Sequence, residues 1–248
     1  MSLTFSNNGG TTGGLSFFKT SSFGGFSLSS TQNTSSIVTD SLTLQLDAGN
    51  TYSYNGSGTT WTDIAGTAQN ITLVNSPTYT SGIPAYFTFN GSNQRGSGSD
   101  VVLSSTTYTK SVWFYLNAYA DNNLVSSETG GHYIFFGGGS RIYAGHSNWA
   151  GFPYNLQSTT VFSLGVWYNA TITFNTTDGM KLYVNGVLDK TYTTVKTAYT
   201  GNGSTNIASY GAGNLLNGRI SKVYCYNRSL TSAEVLQNYD FDKSQFGL

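Results

Sequence analysis

The sequence predicts an all-β sandwich from Ser41 to Asp240, and three observations carry that prediction. Short runs alternate apolar and polar residues with period two, Asn-Gly and Asp-Gly pairs punctuate them, and a helical period appears only near the C-terminus. Sandwiches of this class commonly exceed 200 residues as one unit. The 248 residues therefore divide into an extended N-terminal arm, 1–40, and one β domain, 41–248.

Taken in order, Leu42 to Leu46, Tyr86 to Phe89, Ser111 to Leu116 and Asn169 to Phe174 read as half-buried strands. Further strands are expected at His132 to Phe136, Ser140 to Ala144, Lys181 to Val184 and Arg219 to Tyr226. Turns fall at Asn55-Gly56, Asn90-Gly91, Asp178-Gly179, Asn185-Gly186 and Asn217-Gly218, where the pair supplies the positive φ of tight turns. The clearest hairpin is Leu182 to Leu188, with Asn185-Gly186 at its tip. One short helix is expected from Thr231 to Tyr239: Thr231 caps it, Glu234 completes a capping box, and Val235, Leu236 and Tyr239 share a face. Trp61, Trp113 and Trp167 sit in strand-like contexts and read as core.

Charged residues make up 9% of the chain, against a usual ~25%, and eleven basic side chains offset eleven acidic ones. A surface of Ser, Thr, Asn, Gly and Tyr cannot steer phosphate polymers or anionic lipids, so nucleic acid and membrane are not expected partners. Weak charge repulsion suits a protein in an assembly or outside cells. Cys225 is the single cysteine; it allows no intrachain disulfide and reads as a buried strand thiol. The opening MSLTFSNNGG lacks the basic start and apolar stretch of a secretory signal, which leads to an expectation of synthesis in a cytoplasm. In the arm, Phe5, Leu15, Phe17, Phe18, Phe23 and Phe26 interrupt a Gly/Ser/Thr/Asn background. That background alone reads as a linker, while the spaced aromatics supply docking groups.

Five stretches together resemble the laminin-G-like, concanavalin-A-like jelly rolls of bacteriophage and bacterial surface proteins. They are Leu44 to Asn50, Gly58 to Ile64, Phe87 to Gly91, the pair Trp167 to Thr171 and Asp178 to Gly186, and Gly218 to Val235. The resemblance covers about residues 41 to 240 in the family's order. It implies an antiparallel two-sheet jelly-roll sandwich with one short C-terminal helix.

Glucanases of such a family pair two carboxylates across the scissile bond, about 5–5.5 Å apart in the retaining case. The chain holds only Glu128 and Glu234, in a Gly-rich loop and the expected helix; an Asp pair such as Asp47 and Asp63 could act in their place, but Asp47 in the opening stretch reads as structural. A serine nucleophile needs a neighbouring base, and His132 and His146 read as polar residues of strand ends or loops. No catalytic residue is assigned. Several relatives bind Ca²⁺, which wants six to eight oxygens. Asp100, Asp121, Asn122, Asn123, Asp178 and Asp189 are the oxygen-rich candidates, but they form no acidic ligand pattern, so no cofactor is expected. For a glycan or interface contact, His146, Asn148, Trp149 and Tyr154 combine aromatic faces with amide and imidazole groups in an expected loop, Tyr143 to Tyr154.

The function expected on these grounds is non-enzymatic. The chain would be a virion structural protein of a bacteriophage, a head decoration or fibre component on the outer surface, held to other virion proteins or to its own copies through residues 1–40. The alternative is an adhesin or lectin contacting surface glycans.

Overall fold

Sixteen antiparallel strands, numbered along the chain, form two eight-stranded sheets in the computed structural model, which describes residues 36–99, 105–127, 131–147, 155–194 and 204–248. The first sheet holds β1 (Leu42–Asp47), β4 (Thr78–Thr80), β5 (Tyr86–Asn90), β7 (Tyr108–Leu116), β12 (Trp167–Asn175), β13 (Gly179–Val184), β14 (Val187–Tyr192) and β16 (Asn217–Tyr226). Its order is β14-β13-β12-β7-β16-β5-β4. The far edge of β16 is shared, with β5 pairing Asn217 to Ile220 and β1 pairing Lys222 to Tyr226. The second sheet holds β2 (Thr60–Trp61), β3 (Ile71–Val74), β6 (Arg95–Gly98), β8 (Asn123–Ser127), β9 (Gly131–Phe136), β10 (Ile142–Ser147), β11 (Asn155–Gln157) and β15 (Thr205–Ile207). Its order is β11-β10-β9-β8-β15-β6-β3-β2.

The alternation in the sequence becomes the two faces of each sheet. Leu44, Leu46, Phe87, Phe89, Phe114 and Val223 from one sheet meet Ile71, Leu73, Ile134 and Phe136 from the other in one buried cluster. A second cluster lies on the outer face of the first sheet, where Tyr183, Tyr224 and Tyr226 are covered by Leu230 and Val235, with Ile37 and Val38 packed among them. The folded part thus takes in residues ahead of Ser41.

The cover is the helix α1 (Ser232–Asp242), followed by a single 3-10 turn, Lys243–Phe246. Thr231 caps it as expected: its hydroxyl accepts from the Glu234 N–H at 3.3 Å, and the Glu234 carboxylate accepts from the Thr231 N–H at 2.8 Å. The buried face differs from the expectation. Val235, Asn238 and Asp242 point inward, whereas Leu236 is 43% exposed. The reason is polar: Asn238 Oδ1 accepts from the Val38 N–H at 2.8 Å, and Asp242 receives three donors from the sheet beneath. Hydrogen bonding therefore selects the face that apolar spacing alone would turn otherwise.

Arg228 forks onto Glu234 with contacts of 2.7 and 3.0 Å. That pair, assisted by the Thr231 donors and against some burial, lowers the Glu234 carboxyl to about 2. The folded value lies below the ordinary one, so this contribution to stability is complete above pH ~4.5 and disappears as pH falls toward 2. Thermal melts should show E234Q a few degrees below the parent at pH 7 and the two curves converging near pH 2. A constant gap across that range would count against the capping assignment.

The hairpin tip at Asn185-Gly186 forms as expected, with φ of 49° and 76° and Val184 opposite Val187. A Cβ at Gly186 would lie 2.9 Å from the Tyr239 ring, so the tip also seats α1. Asn217-Gly218 is a different case. It lies inside β16, not in a turn, and its glycine serves a close approach: a Cβ there would sit 2.3 Å from the Tyr115 carbonyl oxygen.

Candidate functional site

The expected glycan or interface contact is only partly within the described residues. Asn148, Trp149 and Tyr154 lie outside them, as do Glu128, Asp100 and the arm residues Phe5, Phe17, Phe18, Phe23 and Phe26. The expected loop from Tyr143 begins as strand, since β10 continues to Ser147. His146 sits in that strand with 0% exposure, its Nδ1 2.9 Å from the Tyr108 hydroxyl and its ring 4.6 Å from that of Phe174. His132, in β9, is equally buried, 4.3 Å from the Tyr108 ring. Both imidazoles therefore face the interior of the sandwich, and neither presents a surface to a ligand in this conformation.

Lys110 joins them inside. Its ammonium lies 4.3 Å from the Tyr108 ring centroid and donates to the Gly145 carbonyl at 3.3 Å, with no acidic partner among the described residues. Burial pushes its amine down to about 7, and burial likewise pushes the Cys225 thiol on the facing strand up to about 12. The cysteine is thus the buried, inert thiol its strand setting implies.

The acidic candidates are committed to the fold. Asp63 accepts from the Gln45 and Ala65 N–H groups at 2.8 and 2.9 Å and from the Thr67 hydroxyl at 2.7 Å. Asp47 pairs with Lys222 at 3.0 Å. Against the upward push of burial, Asp189 accepts from the Thr160 hydroxyl at 2.5 Å and from the Thr159 and Thr160 N–H groups at 2.7 and 2.9 Å, which together hold its carboxyl below the usual range. Asn122 spends its amide on the Ala118 carbonyl and its oxygen on the Asn217 N–H. Among the described residues no three His, Cys, Asp or Glu side chains gather where they would hold a metal ion.

The most developed surface lies on the outer face of the first sheet, beside the helix. Register places Thr88, Arg219, Tyr115 and Trp167 in one row across β5, β16, β7 and β12. Their sequence neighbours Phe87, Phe89, Phe114 and Leu116 enter the core, so strand parity turns this row outward. Tyr86 stands diagonally to Arg219. The Arg219 guanidinium lies 4.7 Å from the Tyr86 ring centroid and 4.4 Å from that of Tyr115. Trp167 stands 5.6 Å from each tyrosine and 5.1 Å from Phe246, whose ring also stacks on Trp113 at 3.9 Å. Gly218 lets β16 press against β7 just before Arg219, which sets the guanidinium over the ring.

Tyr86, Tyr115, Trp167 and Arg219 are each half-buried. Their phenol, indole N–H and guanidinium groups have no hydrogen-bond partner within the fold among the described residues. A floor of rings with unspent donors is what a flat, polar-edged ligand needs. Trp167 was expected in the core. It lies outside because its register partner is Tyr115, whose neighbours Phe114 and Leu116 fill the inner face. A separate cleft of about 270 Å³ lies between Thr51 to Thr62, lined by hydroxyls, the Asn55 amide and the 85% exposed Tyr52.

The family profile described as the concanavalin A-like lectin/glucanases superfamily matches residues 89–236, more than half of the chain. No curated protein matches the sequence. Among solved structures, the binding domain of Paraclostridial Mosquitocidal Protein 1 superposes with TM-score 0.65 at 17% identity, over 81% of this chain and 52% of that one. The binding domain of botulinum neurotoxin DC, in complex with rat synaptotagmin II, gives 0.63 at 14% identity, over 82% and 52%. Domain 4 of AbnA, a GH43 extracellular arabinanase from Geobacillus stearothermophilus, in complex with arabinotriose, gives 0.60 at 19% identity, over 81% and 98%. The chain thus spans about half the length of the toxin domains and nearly all of the arabinanase domain. At these identities the likeness is one of fold.

Proposed function

We propose that this chain, which belongs to the concanavalin A-like lectin/glucanase superfamily, is a non-catalytic carbohydrate-binding module whose ligand lies along Tyr86, Arg219, Tyr115 and Trp167. The observation that carries this reading is the row itself: adjacent ring faces from three strands, edged by donors that the fold leaves unspent. Sugars present an apolar face and a rim of hydroxyls, and aromatic floors with polar edges answer both. The arabinanase domain that the chain overlays along 98% of its length holds arabinotriose, which supports a saccharide as ligand class. The commitment of Glu234, Asp47 and Asp63 to capping, pairing and loop closure supports binding without turnover.

The reading is tested by calorimetric titration of the whole chain against a panel of soluble arabinans, pectins and glucans. At least one should bind saturably without being cleaved, and W167A should weaken that binding tenfold or more, about 1.4 kcal/mol, while W149A leaves it unchanged. Loss with W149A and not with W167A would move the site to the 148–154 segment.

A further inference from the structure

We infer that the row accepts an acidic saccharide, with the carboxylate of a uronate-type sugar on Arg219 and its ring plane on the neighbouring aromatics. This inference rests on the carbohydrate-binding reading and narrows its ligand class.

The described cations differ in what holds them: Arg141 and Lys110 donate to backbone carbonyls, and Arg95, like Arg219, has a buried Nε without a partner. Lys181, Lys222, Arg228 and Lys243 all have carboxylate partners within 3.5 Å. Arg219 has no ion pair and no hydrogen bond, and its Nε is buried without a partner. Two tyrosine rings hold it instead, at 4.4 and 4.7 Å. Ring faces fix the plane of a guanidinium but satisfy none of its N–H groups, so its charge and its fork stay available in a fixed orientation. Asp47 of β1 and Asp242 of α1, which both reach β16, are spent on Lys222 and do not pair with Arg219.

A planar carboxylate matches such a fork with two parallel hydrogen bonds. Trp167 continues the row beyond Tyr115, so a sugar ring attached to that carboxylate would lie along the aromatics, within reach of the Tyr86 and Tyr115 phenols. A neutral sugar would leave the guanidinium desolvated and unpaired, which costs affinity.

The test compares a galacturonate hexamer with its methyl ester, titrated against the whole chain at two salt concentrations. The expected result is acid binding at least tenfold tighter than ester, with the gap narrowing at high salt. R219Q should abolish the gap; R219K, which keeps the charge without the fork, should retain part of it. Melting curves of both variants would show that each is folded. Equal binding of acid and ester, with sensitivity to W167A, would overturn this inference and leave the carbohydrate reading standing. Binding of neutral saccharides alone would have the same effect. Absence of binding to every saccharide would remove both.

Discussion

Replacing Asp242 with Ala should lower the melting temperature by roughly 10 °C, because removing one partner of a buried ion pair costs about 3–5 kcal/mol and each kcal/mol moves a domain of this size by about 2–4 °C. Asp242 is fully buried at the C-terminal end of α1, where the helix dipole disfavours an anion. Burial raises its carboxyl above the ordinary range even with Lys222 beside it. It is kept there by Lys222 Nζ at 2.6 Å, the Tyr224 hydroxyl at 2.9 Å and the Trp113 indole N–H at 3.2 Å. Alanine would leave the last two donors without an acceptor beneath the helix and Lys222 with Asp47 alone. The double replacement Asp242→Leu with Lys222→Met should recover only part of the loss, because it removes the poorly compensated Lys222 charge but leaves the Tyr224 and Trp113 donors without an acceptor and Asp47 without its partner. A D242A variant that melts within 2 °C of the parent would show that α1 is seated by its rings alone.

The second large effect belongs to Lys110. Its folded value of about 7 lies below the ordinary 10.5, so between those values the unfolded chain holds a proton that the folded chain lacks. Stability from this group therefore rises with pH across that window and is at its lowest below pH 7. Facing groups are Tyr108, Cys225 and the Gly145 carbonyl, and none carries a compensating negative charge near neutrality. K110M should accordingly stabilise the fold at pH 7 by an amount on the order of 2 kcal/mol or more, read as a higher melting temperature. The variant's advantage should shrink steadily toward pH 9.5. An advantage that does not change with pH would mean that Lys110 titrates alike in the folded and unfolded chains and keeps its proton inside the fold.

The strands were legible because one face of each is buried, so that Phe87 and Phe89, or Phe114 and Leu116, leave a period-two trace. The hairpin at Asn185-Gly186 and the cap at Thr231 were legible because each is a local device of two to four residues. The aromatic row was not. Tyr86, Tyr115, Trp167 and Arg219 come from four strands spread over 134 positions, and only the register of β5, β16, β7 and β12 brings them together. Parity marked Tyr86 as outward, yet nothing local says which outward residues become neighbours. Gly218 misled for a related reason: next to Asn217 it looks like a turn, and the carbonyl that demands it lies about a hundred residues away on β7. The helix face misled because Asn238 and Asp242 are polar, and their partners Val38, Lys222 and Trp113 are remote in sequence. The expectation of attachment through residues 1–40 rests on composition and is independent of the binding reading.

The central claim, a ligand along the outer face of the first sheet, is open to one direct measurement. The chain has four tryptophans, Trp61, Trp113, Trp149 and Trp167, whose indole N–H signals can be followed separately by ¹⁵N NMR after assignment with single Trp→Phe variants. On titration with a bound oligosaccharide, the Trp167 signal should move with saturation while those of Trp61 and Trp113, both buried, stay in place. Movement of Trp149 with Trp167 unchanged would contradict the claim.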